Sequence, residues 1–181
     1  MKNRIVIIGG GPAGYEAALA GAKYGADVTV IEERGIGGSS VLLDCVPSKS
    51  FIAGTGIKTD LRRADDMGLN SLLGRARIHL PALNQRVKNL AQEQSDDIIV
   101  QLERAGVRFV HGRGRFAESQ IDQVHHEITA TLEDGTEEVY EADLVLIATG
   151  ATPRILPNAK PDGERILTWQ QVYDLEEAPE H

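Results

Sequence analysis

The chain has a single cysteine among 181 residues. One thiol cannot close an intrachain disulfide, so a disulfide-stapled scaffold is excluded and a reducing compartment, the cytoplasm, is the expected setting. Long apolar runs are missing too. No stretch approaches the roughly 20 apolar residues of a membrane span, and the apolar start Ile5-Val6-Ile7-Ile8 reads as a strand rather than a signal peptide. Nor is there a surplus of basic residues. Nineteen Lys and Arg against 27 Asp and Glu give a net charge of −8, which argues against a nucleic-acid partner and against an anionic membrane surface. Pairs such as Arg62-Arg63 read as solvated faces. No Cys or His cluster has metal-ligand spacing, so no metal site is expected. The five histidines read as structural or solvated. His125 and His126 fall at a hairpin edge, His79 and His111 stand isolated, and His181 is terminal. There is no internal repeat and no low-complexity tract.

What is present begins with Ile5-Val6-Ile7-Ile8, a fully apolar β-branched run of the kind buried in a parallel sheet. It stops at Gly9-Gly10-Gly11-Pro12-Ala13-Gly14. From Pro12 a small-residue helix carries Ala13, Ala17, Ala18, Ala20 and Ala22 and ends at Gly25, which tolerates positive φ. The glycines are spaced Gly9-x-Gly11-x-x-Gly14. The first permits a tight turn, the second lets a pyrophosphate reach the backbone, and the third lets helix and strand pack closely. Free N–H groups and the positive dipole end at the helix start make an anion site. A second strand, Val28-Thr29-Val30-Ile31, ends at Glu32, 18 residues after Gly14. An acid there is placed to bind a ribose hydroxyl and disfavours a 2′-phosphate. Strand, glycine turn, helix, strand and terminal acid together predict dinucleotide binding.

Further along, Pro47 suits the first position of a helix running through Phe51, Ile52 and Ile57 to Leu61, with Gly68 beyond its end. This leaves Cys45 just outside the helix and Lys49 in its first turn, where a cation opposes the helix dipole and wants an anionic or polarisable neighbour. A long amphipathic helix spans Pro81 to Arg104, with Leu83, Val87, Leu90, Ile98 and Leu102 as core positions and Gly106 closing it. Val107 to Val110 reads as a third parallel strand, followed by His111-Gly112-Arg113-Gly114-Arg115-Phe116. Between 116 and 143 the pattern alternates, and Asp134-Gly135 supplies a hairpin turn, giving a small antiparallel meander inserted in the parallel sheet. Leu144 to Ala148 reads as the last buried strand. Thr168 and Gln171 form a capping box for a final short helix, and Glu176-Glu177-Ala178-Pro179-Glu180-His181 reads like a linker. The fold class is therefore α/β, a doubly wound parallel Rossmann-type sheet with an inserted antiparallel β-meander.

Taken in order, Gly9-x-Gly11-x-x-Gly14, Glu32, Gly38 to Lys49, Gly114 and Ala148-Thr149-Gly150 resemble the FAD domain of the flavoprotein disulfide reductases, the family of lipoamide dehydrogenase and glutathione reductase. The resemblance covers nearly the whole chain. It implies a FAD-binding domain over 1–170, with the linker to an NAD(P)H-binding domain starting at 171–181. It implies that Glu32 holds the adenosine ribose, that Ser39 and Ser40 lie near the pyrophosphate, and that Lys49 sits near the flavin's reactive nitrogen. It puts the Gly114 backbone near adenine and Ala148, Thr149 and Gly150 along the flavin. The candidate cofactor-binding set is Gly9, Gly11, Pro12, Ala13, Gly14, Glu32, Glu33, Gly38, Ser39, Ser40, Lys49, Gly114, Ala148, Thr149 and Gly150. No residue is assigned a catalytic role.

The family's redox motif has two cysteines separated by four residues, and those positions here are Ser40 and Cys45. A serine cannot cycle as a dithiol, so reduced flavin must pass electrons straight to an external acceptor. Ile36 to Cys45 and Ala151-Thr152-Pro153-Arg154-Ile155-Leu156-Pro157 are most similar to a branch of actinobacterial flavoproteins that act as NAD(P)H:quinone reductases. The resemblance thus implies FAD, NAD(P)H as co-substrate through a domain outside this chain, a quinone-like acceptor and a homodimer. It also implies that 181 residues make an N-terminal portion with weak FAD retention and little turnover of its own. Cys45 reads first as a small buried hydrophobe and second as a thiolate against the flavin. Other readings stay open: a dihydrolipoamide dehydrogenase-like or transhydrogenase-like enzyme, a free-standing NAD-binding dehydrogenase, or a non-catalytic flavin-binding module. The dehydrogenase reading lacks a Tyr-x-x-x-Lys pair and leaves the Gly38 to Lys49 segment unexplained.

Overall fold

Val6, Ile7, Ile8, Val28, Val30 and Ile31 are all buried, and the two runs they belong to pair in parallel, Arg4 opposite Asp27 through Ile8 opposite Ile31. The computed structural model describes residues 2–68, 77–117 and 125–179. Its elements in chain order are β1 (Arg4–Ile8), α1 (Pro12–Lys23), β2 (Asp27–Glu32), α2 (Gly38–Leu42), α3 (Cys45–Asp66), α4 (Leu80–Arg104), β3 (Arg108–Phe116), β4 (His126–Leu132), β5 (Glu137–Ala142) and β6 (Leu144–Ile147), followed by a 3-10 helix at Trp169–Asp174. The strands form one mixed sheet in the order β5-β4-β3-β2-β1-β6. This is the expected Rossmann-type α/β architecture.

The chain divides into two compact units, Met1–Leu42 with Glu93–Thr152, and Leu43–Gln92 with Pro153–His181. In the first unit, alternation along the strands sends side chains to two cores. Ile7, Val28 and Val30 face α1 and the C-terminal half of α4, where Ala18, Ile98 and Leu102 are buried with them. Val6, Ile8, Ile31 and Val110 point the other way, onto Ile128, Ala130 and Ala142 of the meander. The meander therefore leaves the sheet edge and curls over its second face. The Asp134-Gly135 turn forms as expected, with Gly135 at φ 83° and the Thr136 N–H donating to Asp134 Oδ1 at 2.8 Å. Residues 118–124 of the expected meander lie outside the described residues.

Several expectations need correction. The third strand does not stop at Val110: β3 runs on to Phe116, pairing in parallel with β2 over 108–111 and antiparallel with β4 over 112–116. Its glycines permit that change of partner, because a Cβ at Gly112 would lie 2.7 Å from the Thr131 carbonyl oxygen. The strand expected to be last and buried, β6, is an edge in this chain, with Leu144 52% and Ile147 63% exposed. Only Val145 and Leu146 reach the cores.

In the second unit, α3 begins two residues earlier than Pro47. The Ser48 N–H donates to the Asp44 carbonyl at 2.8 Å, so Asp44 flanks the helix start, Cys45 is its first residue and Pro47 its third. Proline is tolerated there because the first N–H groups of a helix have no intrahelical partner. The expected capping box is present, with Gln171 Oε1 accepting from the Thr168 N–H at 2.7 Å, but it opens a 3-10 helix of six residues. Of the expected stripe on α4, Val87, Ile98 and Leu102 are buried while Leu83 and Leu90 are half-buried, and Leu80, Ala91 and two polar residues, Asn84 and Ser95, are buried as well. Asn84 donates from Nδ2 to the Leu175 carbonyl at 2.9 Å, and Lys88 Nζ lies 2.6 Å from Asp174, so the C-terminal end of the 3-10 helix is held on α4. Glu180 and His181 of the expected linker lie outside the described residues.

One polar clasp joins the first strand to the end of the hairpin. Asp143 accepts from the Arg4 backbone N–H at 2.8 Å and from its guanidinium at 2.8 Å, while Glu141 takes the other guanidinium nitrogen. His125 Nδ1 lies 3.0 Å from the same Asp143. These bonds from Arg4 hold the Asp143 carboxyl well below its ordinary value of 3.8. A carboxyl depressed on folding contributes stability that is present above the unfolded pKa and lost as pH falls through the folded one. Thermal stability of the chain should therefore drop below about pH 4, and Asp143→Asn should flatten that drop. Superimposable melting-temperature profiles for parent and variant between pH 7 and 2 would remove the clasp from the account.

Candidate functional site

The carboxyl ends of β1, β2 and β6 meet at the glycine turn, the position where an open α/β sheet binds its ligand. Gly9 leaves β1 at φ 108°, and its N–H still donates to the Ile31 carbonyl at 2.8 Å. A Cβ at Gly9 would lie 2.3 Å from the Ala148 carbonyl oxygen, so Ala148 and Thr149 press directly on the turn. Gly14 is under tighter constraint, since a Cβ there would lie 1.9 Å from the Gly9 carbonyl oxygen. The first and third glycines are thus required by protein against protein.

Gly11 differs. The nearest atom to a Cβ built on it is the Gly38 Cα at 3.9 Å, so its open side is space that a ligand can fill. Gly11 is also the N-cap of α1, with no side-chain cap and no acidic residue in the first turn, and Pro12 follows it. Pro12 has no N–H, and the Gly14 and Tyr15 N–H groups donate to the Gly11 carbonyl at 2.8 and 2.9 Å, so what the start of this 12-residue helix offers a ligand is the Ala13 N–H and the positive dipole end. An open second glycine at an uncapped helix start fits the diphosphate of a dinucleotide, and so fits FAD.

Glu32 ends β2 half-buried, and its carboxylate is already organised. Oε2 accepts from the Gly10 N–H at 2.7 Å and Oε1 from the Arg34 N–H at 2.6 Å. Each carboxylate oxygen keeps a second lone pair, so a ribose hydroxyl can donate to it without breaking either bond. Glu33 is exposed, with Oε2 3.9 Å from Arg113 Nε and Oε1 3.6 Å from Arg34 Nε. Gly38 has φ 56° and starts α2, which carries Ser39 and Ser40. A Cβ on Gly38 would come within 2.8 Å of the Gly11 Cα, so α2 starts directly against the glycine turn. Gly150 has φ 67° and open surroundings, and Thr149 is exposed.

The first unit thus contains every candidate except Lys49. Gly9 to Gly14, Glu32, Gly38 and Ala148 are linked by the contacts above, while Ser39, Ser40, Glu33, Thr149 and Gly150 flank them in sequence. Gly114 is conditioned by the core, since a Cβ there would meet Ile8 Cγ2 at 3.0 Å and Ile31 Cγ2 at 3.3 Å. Lys49 belongs to the second unit. It is exposed and is the fifth residue of α3, past the first turn, because the helix starts at Cys45. Cys45 lies inside α3 and is exposed, which overturns its reading as a small buried hydrophobe.

Other residues near the turn escaped the sequence reading. Gly10 lies with its notional Cβ 2.6 Å from Ile36 Cδ1, and Gly37, at φ 97°, donates its N–H to the Gly10 carbonyl at 2.8 Å. The cluster Gly35-Ile36-Gly37-Gly38 was the available signal. Two histidines read as isolated are engaged: His111 Nε2 lies 3.0 Å from the Glu33 carbonyl oxygen, and His79 Nδ1 accepts from the Ala82 N–H at 3.2 Å at the start of α4.

The family model described as pyridine nucleotide-disulphide oxidoreductase matches residues 3–181. Among similar proteins, "NAD(P)H dehydrogenase (quinone)" of Mycobacterium tuberculosis is 55% identical over 184 residues, spanning 100% of this chain and 37% of that protein. Dihydrolipoyl dehydrogenase of Chlorobaculum parvum is 30% identical over 176 residues, covering 97% of this chain and 36% of its own length. The crystal structure of LpdA from Mycobacterium tuberculosis superposes with a TM-score of 0.89 at 54% identity, over 97% of this chain and 38% of that one. The chain therefore spans little more than a third of the length of these relatives.

The two kinds of glycine predict opposite responses to alanine. Gly14→Ala should cost about 1–3 kcal/mol and empty the site, since the methyl meets backbone that cannot move aside. Gly56→Ala, in α3 with nothing within 4 Å of its Cβ, should stabilise by about 0.4–1 kcal/mol. Chemical denaturation of both variants checks the pair, and equal midpoints would refute the steric assignment.

Proposed function

The chain belongs to the pyridine nucleotide-disulphide oxidoreductase family, and on that footing we propose that it is the FAD-binding portion of an NAD(P)H-dependent quinone reductase without a redox disulfide. One observation carries the proposal. The glycine turn has Gly11 open at the uncapped start of α1 and Glu32 organised by Gly10 and Arg34, while the motif that would relay electrons through sulfur has Ser40 in place of a cysteine. The 55% identity to the mycobacterial NAD(P)H dehydrogenase (quinone), against 30% to a dihydrolipoyl dehydrogenase, supports the quinone assignment.

Bound FAD supplies two-electron redox chemistry, accepting hydride from NAD(P)H and giving electrons to the acceptor. The residues of this chain bind and orient it. The Ala13 N–H and the positive dipole end at the start of α1 meet the diphosphate, and Glu32 accepts from the adenosine ribose. Ser39 and Ser40 flank the diphosphate, the Gly114 backbone lies toward adenine, and Ala148 to Gly150 run along the flavin. Lys49 serves near the reactive nitrogen, and Pro12, Ala13 and Glu33 complete the surroundings. Ser40 and Cys45 cannot be oxidised to an intrachain disulfide, so these residues would supply no sulfur relay between a bound flavin and a diffusible acceptor. NAD(P)H binds through a further domain, residues 1–170 form the FAD domain, and 171–181 begin the linker. The assembly is a cytoplasmic homodimer with no nucleic-acid partner. Among the described residues, no helix is long and apolar enough to cross a membrane.

Two measurements test this. The complete polypeptide should oxidise NAD(P)H with a small quinone at least tenfold faster than with lipoamide, because a disulfide substrate needs the missing dithiol; comparable rates would overturn the reading. Glu32→Ala should weaken FAD retention roughly tenfold, a loss of about 1.4 kcal/mol, through the ribose contact and the freed Gly10 and Arg34 N–H groups. Undiminished flavin absorbance after desalting would sink the cofactor assignment.

A further inference from the structure

Ser95 lies midway along α4, at a position where the helix stripe calls for an apolar residue, and it is 2% exposed. Its hydroxyl donates to the Ile36 carbonyl at 2.6 Å across 59 residues of sequence. The other end of that same peptide group, the Gly37 N–H, donates to the Gly10 carbonyl at 2.8 Å. The Gly10 N–H in turn donates to Glu32. A single peptide unit is thus held from both sides, and through it a buried hydroxyl on α4 is connected to the glycine turn and to the ribose-facing carboxylate.

We propose that Ser95 is a positioning residue of the dinucleotide site, acting through the Ile36–Gly37 peptide to fix the glycine turn and the start of α2. The reference to FAD rests on the function proposed above; the effect on the turn does not. Three neighbours make the arrangement demanding. The Ile36 side chain is fully buried, Gly37 is at φ 97° and Gly38 at φ 56°. A segment built from left-handed glycines has little conformational preference of its own, so its place must be set by partners, and Ser95 supplies the one on the α4 side. Without the hydroxyl, the Ile36 carbonyl is left without that partner inside the core, and the segment gains by turning the peptide toward another donor. Turning it withdraws the Gly37 N–H from Gly10 and relaxes the spacing between Gly38 and Gly11 on which the open cradle depends. The two bonds to one peptide also polarise it in the same sense, which strengthens each.

The test separates turn from cofactor. In the chain without FAD, Ser95→Ala should raise hydrogen exchange of the Gly37 and Gly10 amides about tenfold, measured by NMR, whereas Ile98→Val, a core change three residues along the same helix, should not. With FAD, Ser95→Ala should raise the Kd about tenfold, equivalent to 1.4 kcal/mol, and Ser95→Thr, which keeps the hydroxyl, should stay within about threefold of the parent. If Ser95→Ala does not fold, Ser95→Cys keeps the volume with a weaker donor and carries the same expectations. Unchanged exchange at Gly37, or FAD affinity lost only in step with melting temperature as in Ile98→Val, would overturn the proposal. Exchange that responds in a chain whose parent holds no FAD would support the role of Ser95 in the turn and sink the cofactor reading instead.

Discussion

The approach of Gly14 to Gly9 governs the rest of the first unit. With 1.9 Å between a notional Cβ and the Gly9 oxygen, no side chain of any kind fits, and the start of α1 lies backbone to backbone on the end of β1. That contact makes α1 leave the sheet at once, so that its N–H groups point back over the strand ends. Gly9 transmits the constraint sideways, because Ala148 sits against it and Ala148 N–H continues the ladder to the Ile8 carbonyl at 2.8 Å. The site is therefore a consequence of packing that the fold needs whether or not a ligand is bound. Of the three spaced glycines of the turn, Gly11 alone would leave a Cβ room, and that room is what the proposed ligand would use.

Two layers hold this arrangement from opposite sides. Ala18 and Leu102 are fully buried on the helical face, and Ile128, Ala130 and Ala142 are fully buried beneath the meander. Fully burying side chains of this kind is worth roughly 1.5–3 kcal/mol each for the larger ones, far more than any exposed ion pair. The Arg4 to Asp143 clasp contributes registry instead. It fixes where the hairpin returns to the sheet, and so where β6 starts and where Ala148 meets Gly9.

What could be read from residues alone divides along a physical line. Local steric codes were legible: the glycine spacing, the apolar run of β1, Glu32 at the end of β2, the Asp134-Gly135 turn and the Thr168 to Gln171 box each depend on a few adjacent residues. Long-range partners were not. The extension of β3 through Gly112 and Gly114 depends on β4 being there to receive it, and the burial of Ser95 depends on a carbonyl 59 residues away. The start of α3 was misplaced because Pro47 is equally compatible with the first and third positions of a helix, and only the Asp44 carbonyl decides between them. The exposure of Cys45 was missed for a related reason, since a small thiol beside an apolar helix reads the same whether its face is covered or open.

The same line explains how the proposed chemistry can change without disturbing the cradle. The glycines are fixed by backbone atoms closer than 3 Å at Gly9, Gly14 and Gly38, so their replacement is felt by the whole unit. Nothing comparable holds the sulfur positions. Ser40 is a half-buried residue of a five-residue helix, and Cys45 is exposed at the start of another. Exchanging a thiol for a hydroxyl at the first of these removes the possibility of a disulfide and asks almost nothing of the packing. On the function proposed above, then, the glycine turn is held by sterics while residues 40 and 45 are left free of them, so losing the dithiol would redirect the electrons without disturbing the packing of the turn.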